Sequence, residues 1–288
     1  MNDSATSVWL TGQRGPRAQL REAGCVLGTE FDSERVPPAT AAHAIAAYTR
    51  PGDLVLDPNC GAGTVLTEAL RAGRHALGLT ARKQWWTLAR ANVTATKAAG
   101  AWCDGSVLEA RPKMLATIRA AGLIGRVGLV LMSLRTGPDS ARAESAIGEL
   151  ARTMRYCEPL LRPGGYVVIV ARPRRSPDGA LIDLTTPLIG AGSNAGLVPV
   201  ERCIALTADV RGDRVATRTS AAERRAVSRA RGAGLLRAVN AHDEVLAFQL
   251  AHDAELAVAG AVDWRLASEE AARTAVSGVE CSGRARAA

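Results

Sequence analysis

No segment of this 288-residue chain approaches the ~18–20 continuous apolar residues that a membrane helix needs, and residues 1–10 hold no basic stretch leading into an apolar one. We therefore expect an intracellular, cytoplasmic protein without a membrane partner. Paired cysteines are also missing. Cys25, Cys60, Cys103, Cys157, Cys203 and Cys281 stand singly, with no Cys-x-x-Cys and no Cys/His cluster, which leaves no spacing for a disulfide framework or a structural zinc site. The four histidines are scattered too, and no metal is expected. Aromatic residues number only ten. Lysine is scarcer still, three residues against 33 arginines. The net charge of +8 favours anionic partners such as nucleic acid, although an arginine- and alanine-rich composition equally follows from a GC-rich coding sequence.

What the chain does have, from about residue 52, is an alternation of short apolar runs with helix-patterned segments. That is the pattern of a parallel sheet with crossover helices. Strands are expected at 54–56, 75–79, 102–103, 127–132 and 166–170, with helices between them at roughly 64–72, 83–99, 107–121 and 140–160. Pro163-Gly164-Gly165 reads as a tight turn before the fifth strand. A further helix near 179–195 leads to two last strands, 198–206 and 245–250, paired antiparallel at one sheet edge. The stretch between them, 211–237, carries eight arginines and two acids. We divide the chain into an N-terminal extension with a helix (1–50), an α/β domain (51–252) with the arginine-rich insertion 211–237, and a flexible tail rich in Ala, Ser and Arg (253–288).

The most informative string is Leu54-Val55-Leu56-Asp57-Pro58-Asn59-Cys60-Gly61-Ala62-Gly63-Thr64. A buried strand ends in an acid, a glycine-rich turn follows, and a helix begins at Thr64. Glycines let a ligand approach the backbone closely, and a helix N-terminus presents free N–H groups. The strand-end acid can accept a hydrogen bond from a cationic or hydroxyl-bearing cofactor. A Gly-x-Gly turn alone is weak, since an empty structural turn carries it too.

The longer run from Pro51 to Thr64, then Glu68-Ala69 and Gly73-Arg74-His75-Ala76-Leu77-Gly78, resembles the amino-group (N4-cytosine/N6-adenine) DNA methyltransferases across roughly residues 35–172. The resemblance implies the Rossmann-like class I methyltransferase fold, a mostly parallel seven-stranded sheet with helices on both faces and an antiparallel last strand. It also implies S-adenosylmethionine as cofactor, and nucleic acid, DNA above all, as partner. Matched position by position, it assigns Asp57, Pro58, Asn59, Cys60, Gly61 and Gly63 to the loop holding the methionine end of the cofactor. Asp104 matches the acid that contacts the adenine amino group, although a helix N-cap explains it equally.

Two departures stand out. Family members place a ribose-gripping acid at the end of the second strand, where this chain has Thr80, able to make one weaker hydrogen bond. The family's catalytic motif, Asp/Asn/Ser-Pro-Pro-aromatic, here reads Ser133-Leu134-Arg135-Thr136-Gly137. Ser133 fits the first position, but both prolines and the stacking ring are gone. Arg135 could stack on a base or meet a phosphate. Ser133 and Arg135 are thus the candidate catalytic residues, with a strand-end cap as the plain alternative for Ser133. Trp85 and Trp86 either cover the adenine or pack in the core, and the segment around Arg224-Arg225 either tracks a phosphate backbone or is a solvated helix. A C5-cytosine mechanism lacks its cysteine after the fourth strand, and a dehydrogenase lacks both Gly-x-Gly-x-x-Gly and the second-strand acid. Three functions remain: methylation of a DNA base, a catalytically degenerate cofactor- or nucleic-acid-binding regulator, and an RNA or small-molecule methyltransferase.

Overall fold

The computed structural model describes residues 6–117, 122–137, 142–176 and 179–252. Residues 1–250 form one unit and 251–288 a second; the expected flexible tail lies outside the described residues. The strands are β1 (Val8–Trp9), β2 (Leu54–Asp57), β3 (His75–Thr80), β4 (Gly105–Glu109), β5 (Val127–Ser133), β6 (Leu161–Ala171), β7 (Arg174–Arg175), β8 (Leu181–Ile182), β9 (Leu197–Leu206), β10 (Asp209–Arg211), β11 (Arg214–Ala216) and β12 (His242–Leu250). The α-helices are α1 (Pro16–Glu22), α2 (Pro38–Tyr48), α3 (Thr64–Arg71), α4 (Lys83–Ala98), α5 (Ala143–Cys157), α6 (Thr185–Ser193) and α7 (Ala221–Gly232).

Eight strands make one sheet in the order β1-β9-β12-β6-β5-β2-β3-β4. β12 runs antiparallel to both neighbours and every other pairing is parallel. β2 to β6 and β9 therefore all end at one edge of the sheet, the edge where ligands bind in open α/β folds. Apolar side chains alternate across the two faces, as a period of two requires. Leu129 and Leu131 of β5 join Ala44 and Ile45 of α2, Leu66 of α3 and Val93 of α4 on one side. Val130 and Met132 join Leu150 and Met154 of α5 and Leu188 of α6 on the other. Burial on both faces explains why β5 and β6 read as unbroken apolar runs.

The α/β class and the antiparallel last strand are as expected, but the sheet has one strand more than seven. Val8–Trp9 pairs in parallel with Ile204 and Ala205, and Trp9 is buried in the core. No strand forms at 102–103; the third strand of the domain is Gly105–Glu109, and no helix spans the described part of 107–121, which continues into a 3-10 turn at Pro112–Ala116. Pairing of Ala76–Thr80 with Gly105–Glu109 overrides the local helical pattern. Pro163-Gly164-Gly165 interrupts β6 rather than preceding it, as a register irregularity opposite Val127 and Leu129. The expected helix at 179–195 is the shorter α6, preceded by the β7–β8 pair.

Candidate functional site

Asp57 closes β2, and the turn after it is held by its own backbone. Asn59 N–H donates to Asp57 Oδ1 at 3.1 Å, Cys60 N–H to the Leu79 carbonyl at 2.8 Å, and Gly63 N–H to the Cys60 carbonyl at 2.8 Å. Gly61 (φ +52°) and Gly63 (φ +85°) take the left-handed conformation that launches α3. Asn59 is exposed at the tip, whereas Pro58, Cys60, Gly61 and Gly63 are buried. The Cys60 thiol lies beneath the loop, filling the space a side chain at Gly78 would need, and burial pushes its pKa well above the thiol range. Its role is packing. Asp57 is only 4 % exposed. Burial raises its carboxyl to about 7, against the pull of the Arg135 charge and the Asn59 N–H.

The loop is covered by a strap from the N-terminal segment, residues 32–36, which sequence reasoning missed. Asp32, 2 % exposed, holds Arg135 through two hydrogen bonds of 2.8 and 2.9 Å and accepts the Ala62 N–H at 2.9 Å. Burial works to raise the Asp32 pKa, but Arg135 and the Ala62 N–H hold it below the usual carboxylate range. Burial likewise opposes the charge on Arg135, and Asp32 outweighs it. Arg135 Nε also donates to the Asn59 carbonyl at 3.1 Å. Next along the strap, the Glu34 carbonyl accepts the Ser133 hydroxyl at 2.6 Å and its carboxylate accepts the Gly137 N–H at 2.6 Å. Ser133, Arg135 and Gly137 are thus all tied to Asp32 or Glu34, and this tie stands where the family's two prolines supply rigidity.

Gly61 is required by this arrangement. A Cβ there would come under 3.0 Å from both the Asp32 carboxylate and the Arg135 guanidinium. Gly61→Ala is expected to destabilise the protein by about 2–4 kcal/mol, the sum of overpacking and a left-handed backbone penalty, and urea denaturation measures it. A loss below about 1 kcal/mol would mean that the ion pair shifts aside freely.

A cleft of about 510 Å³ opens at this edge, lined by Asn59, Ala81, Ala110, Ser133, Arg135 and Tyr156 among others, with Arg82, Arg111, Lys113 and Arg152 adding positive charge. The ends of β2, β3, β4 and β5 meet there. Thr80 is buried, with its carbonyl accepting the Ala110 N–H at 3.0 Å, so the end of β3 offers the cleft no acid. Asp104 stands elsewhere. It precedes β4, 91 % of its side chain is exposed, and its N–H donates to His75 at the start of β3. Five residues of strand, on the order of 16 Å, separate it from the ligand edge; Glu109 ends the strand and Ala110 follows it. Trp86 packs on β4, donating to the Val107 carbonyl at 3.2 Å beneath Arg90.

A second cleft of about 380 Å³ lies past the strap, between Gln19, Arg35, Arg172, Arg218, His242 and Asp243. Arg172 pairs with buried Asp243 at 3.3 Å, while Arg35 has hydrogen bonds only to backbone carbonyls among the described residues.

Residues 4–90, less than a third of the chain, match the family model described as DNA methylase. Solved structures of similar fold include TrmN from Thermus thermophilus (17 % identity, 81 % of this chain and 53 % of that one, TM-score 0.49). Others are geranyl diphosphate methyltransferase in complex with SAM (15 %, 77 % and 88 %, TM-score 0.48) and a SAM-dependent methyltransferase from Aquifex aeolicus (11 %, 73 % and 89 %, TM-score 0.47). The chain spans about half the length of the first. With this strand order and the match across residues 4–90, the chain has the class I S-adenosylmethionine-dependent methyltransferase fold and resembles the amino-group DNA methylases.

Proposed function

We propose that this protein is an S-adenosylmethionine-dependent methyltransferase that modifies an exocyclic amino group of a nucleic-acid base, with DNA as the nucleic acid. The observation that carries the reading is the meeting of Asn59, at the tip of the glycine turn, with Ser133 in one cleft on the ligand edge of the sheet, with Asp57 buried behind that turn. The residues fit the cofactor. A buried acid ends the first strand of the domain, the turn tolerates no side chain, and the adjoining cleft falls within the ordinary range for a ligand of this size. Asp57 and the 59–63 loop would hold its amino-acid end, and Ala81 and Ala110 would face its nucleoside. When bound, S-adenosylmethionine supplies an electrophilic methyl group.

The chain's own contribution is positioning and hydrogen bonding. Ser133 gives its single hydroxyl proton to the Glu34 carbonyl. Its lone pairs are thereby left to accept from a substrate amino group, the polarity that N-methylation needs.

The nucleic-acid part of the proposal rests on α7. No residue of this helix is buried, its Ser220–Glu223 capping box makes it self-supporting, and it presents Arg224, Arg225, Arg229 and Arg231. It lies in the segment joining the end of β9 to the start of β12, which both sit at the ligand edge. Replacing these four arginines with glutamine is expected to weaken DNA binding and to reduce the slope of log K against log salt by up to about 3.6, since each lost phosphate contact removes about 0.9 of a unit. Fluorescence anisotropy between low and high salt measures it, and an unchanged slope would remove α7 from the interface.

The reaction itself is tested by transfer of labelled methyl to genomic DNA, tRNA and a metabolite extract, with Asp57→Ala and Ser133→Ala as controls. Incorporation into DNA lost in Ser133→Ala supports the assignment. Cofactor binding without incorporation anywhere favours the second reading, a non-catalytic binding protein, which the Leu134-Arg135-Thr136 replacement of the proline-aromatic motif motivates.

A further inference from the structure

We infer that Arg135, the residue standing where the family's motif has its second proline, holds the carboxylate of the cofactor's methionine end with an N–H donor that its pairing with Asp32 leaves over. This assignment rests on the cofactor reading above and moves Arg135 from the acceptor side of the reaction to the donor side.

The guanidinium has five N–H donors in a fixed plane. Nε is taken by the Asn59 carbonyl, one N–H of Nη1 by Asp32 Oδ1 and one N–H of Nη2 by Asp32 Oδ2. The second N–H on each terminal nitrogen has no partner among the described residues. The group lies against Gly61, closer than any side chain there would allow, and its residue lines the cleft together with Asn59 and Ser133. It is thus a cation fixed on the glycine turn from three directions, with two donors left over.

A guanidinium on this turn repels the ammonium and sulfonium of S-adenosylmethionine unless something offsets it, and the offset is visible. Asp32 neutralises Arg135 by a two-pronged ion pair, while Asp57 sits behind the turn as a second acid in the field of the same guanidinium. One acid is committed to Arg135, and the other lies behind the turn, 4 % exposed, where it acts on the site through its field. With its fork taken by Asp32, Arg135 offers the carboxylate one remaining N–H, a single charge-assisted hydrogen bond, and because Asp32 fixes the guanidinium in advance little side-chain freedom is lost on binding. The absence of an acid at Thr80 fits the same division: with the ribose grip missing, recognition shifts to the amino-acid end.

Titration calorimetry on the full chain tests the assignment with two ligands that differ only in the carboxylate, S-adenosylmethionine and its decarboxylated form. Wild type is expected to bind the decarboxylated ligand 10- to 100-fold more weakly, the range for charge-assisted hydrogen bonds. Arg135→Gln is expected to bind both ligands at that weaker level, without discrimination. Because Arg135→Gln leaves Asp32 unpaired, the double variant Asp32→Asn/Arg135→Gln serves as the folded comparison, checked by circular dichroism. Equal binding of the two ligands by wild type, or full discrimination kept by the variants, overturns the Arg135 assignment alone. Failure of wild type to bind either ligand or S-adenosylhomocysteine overturns the cofactor reading, and the assignment with it.

Discussion

Asp32→Ala is expected to cost the fold about 3–5 kcal/mol, the scale on which removing one partner of a buried ion pair leaves the other charge stranded. Asp32 and Arg135 are both largely out of water, with side-chain exposures of 2 % and 16 %. The substitution also orphans the Ala62 N–H, which donates to Asp32 at 2.9 Å. What would remain around the guanidinium is the Asn59 carbonyl and a distant Asp57. Removing both charges in Asp32→Ala/Arg135→Ala should cost clearly less than the sum of the two single losses, because the desolvation penalty then disappears with the pair. Denaturant titration of the four proteins completes the cycle. Additive losses would show that the two side chains do not depend on each other, and the strap would then be held by its remaining contacts, those of Glu34 and of the Val36 carbonyl with Thr64.

Asp57→Asn should act in the opposite direction on stability while harming the site. The Asp57 carboxyl, ordinarily at 3.8, is pushed up to about 7 in the fold, with burial as the first cause. Its ionised form is therefore disfavoured by folding. Above pH 7 the folded protein carries this penalty in full. As pH falls below 7 the folded state takes up a proton that the unfolded chain does not, and the penalty fades until pH approaches 4. Asparagine removes it at every pH. The variant is expected to be more stable than wild type at pH 8, by up to about 4 kcal/mol on the basis of roughly three pKa units, and to lose most of that advantage at pH 5. Cofactor affinity should fall at the same time, since the negative charge behind the turn is gone. Thermal unfolding at the two pH values reads the first effect. A variant less stable than wild type at pH 8 would show that the hydrogen bond from Asn59 outweighs the buried charge.

The glycine turn was legible because its physics is local. An acid, a proline and two glycines in eight residues specify a strand end, a left-handed turn and a helix start, and α2 announced itself by the Pro-Pro pair ahead of an alanine-rich stretch. Asp104 was misplaced because β4 is an edge strand with Ser106, Leu108 and Glu109 exposed, so its apolar alternation is faint. Reading the strand at Trp102–Cys103 shifted the ligand-edge position by five residues. The partners of Ser133 and Arg135 were illegible for a different reason. They come from Asp32 and Glu34, about a hundred residues earlier, and no periodicity or spacing in either segment encodes that meeting. Asp32 and Glu34 fall in the N-terminal extension ahead of α2, where no motif singles them out. Val8–Trp9 left no trace either, since two residues carry no pattern and their strand exists only because β9 offers an edge.

That edge pairing sets an order of events in the living cell. Ser7 receives its hydrogen bond from Ile204, at 2.8 Å, so the first strand made must wait for nearly two hundred further residues to leave the ribosome. At ordinary elongation speeds the interval is on the order of ten to forty seconds. The glycine turn and α3 can form long before then, and the strap can close over them once Ser133, Arg135 and Gly137 emerge to meet Asp32 and Glu34. The ligand edge is thus covered while the N-terminal strand still waits for its partner. Release of the growing chain before Ile204 should yield a protein with the turn and its strap in place and Val8–Trp9 unpaired.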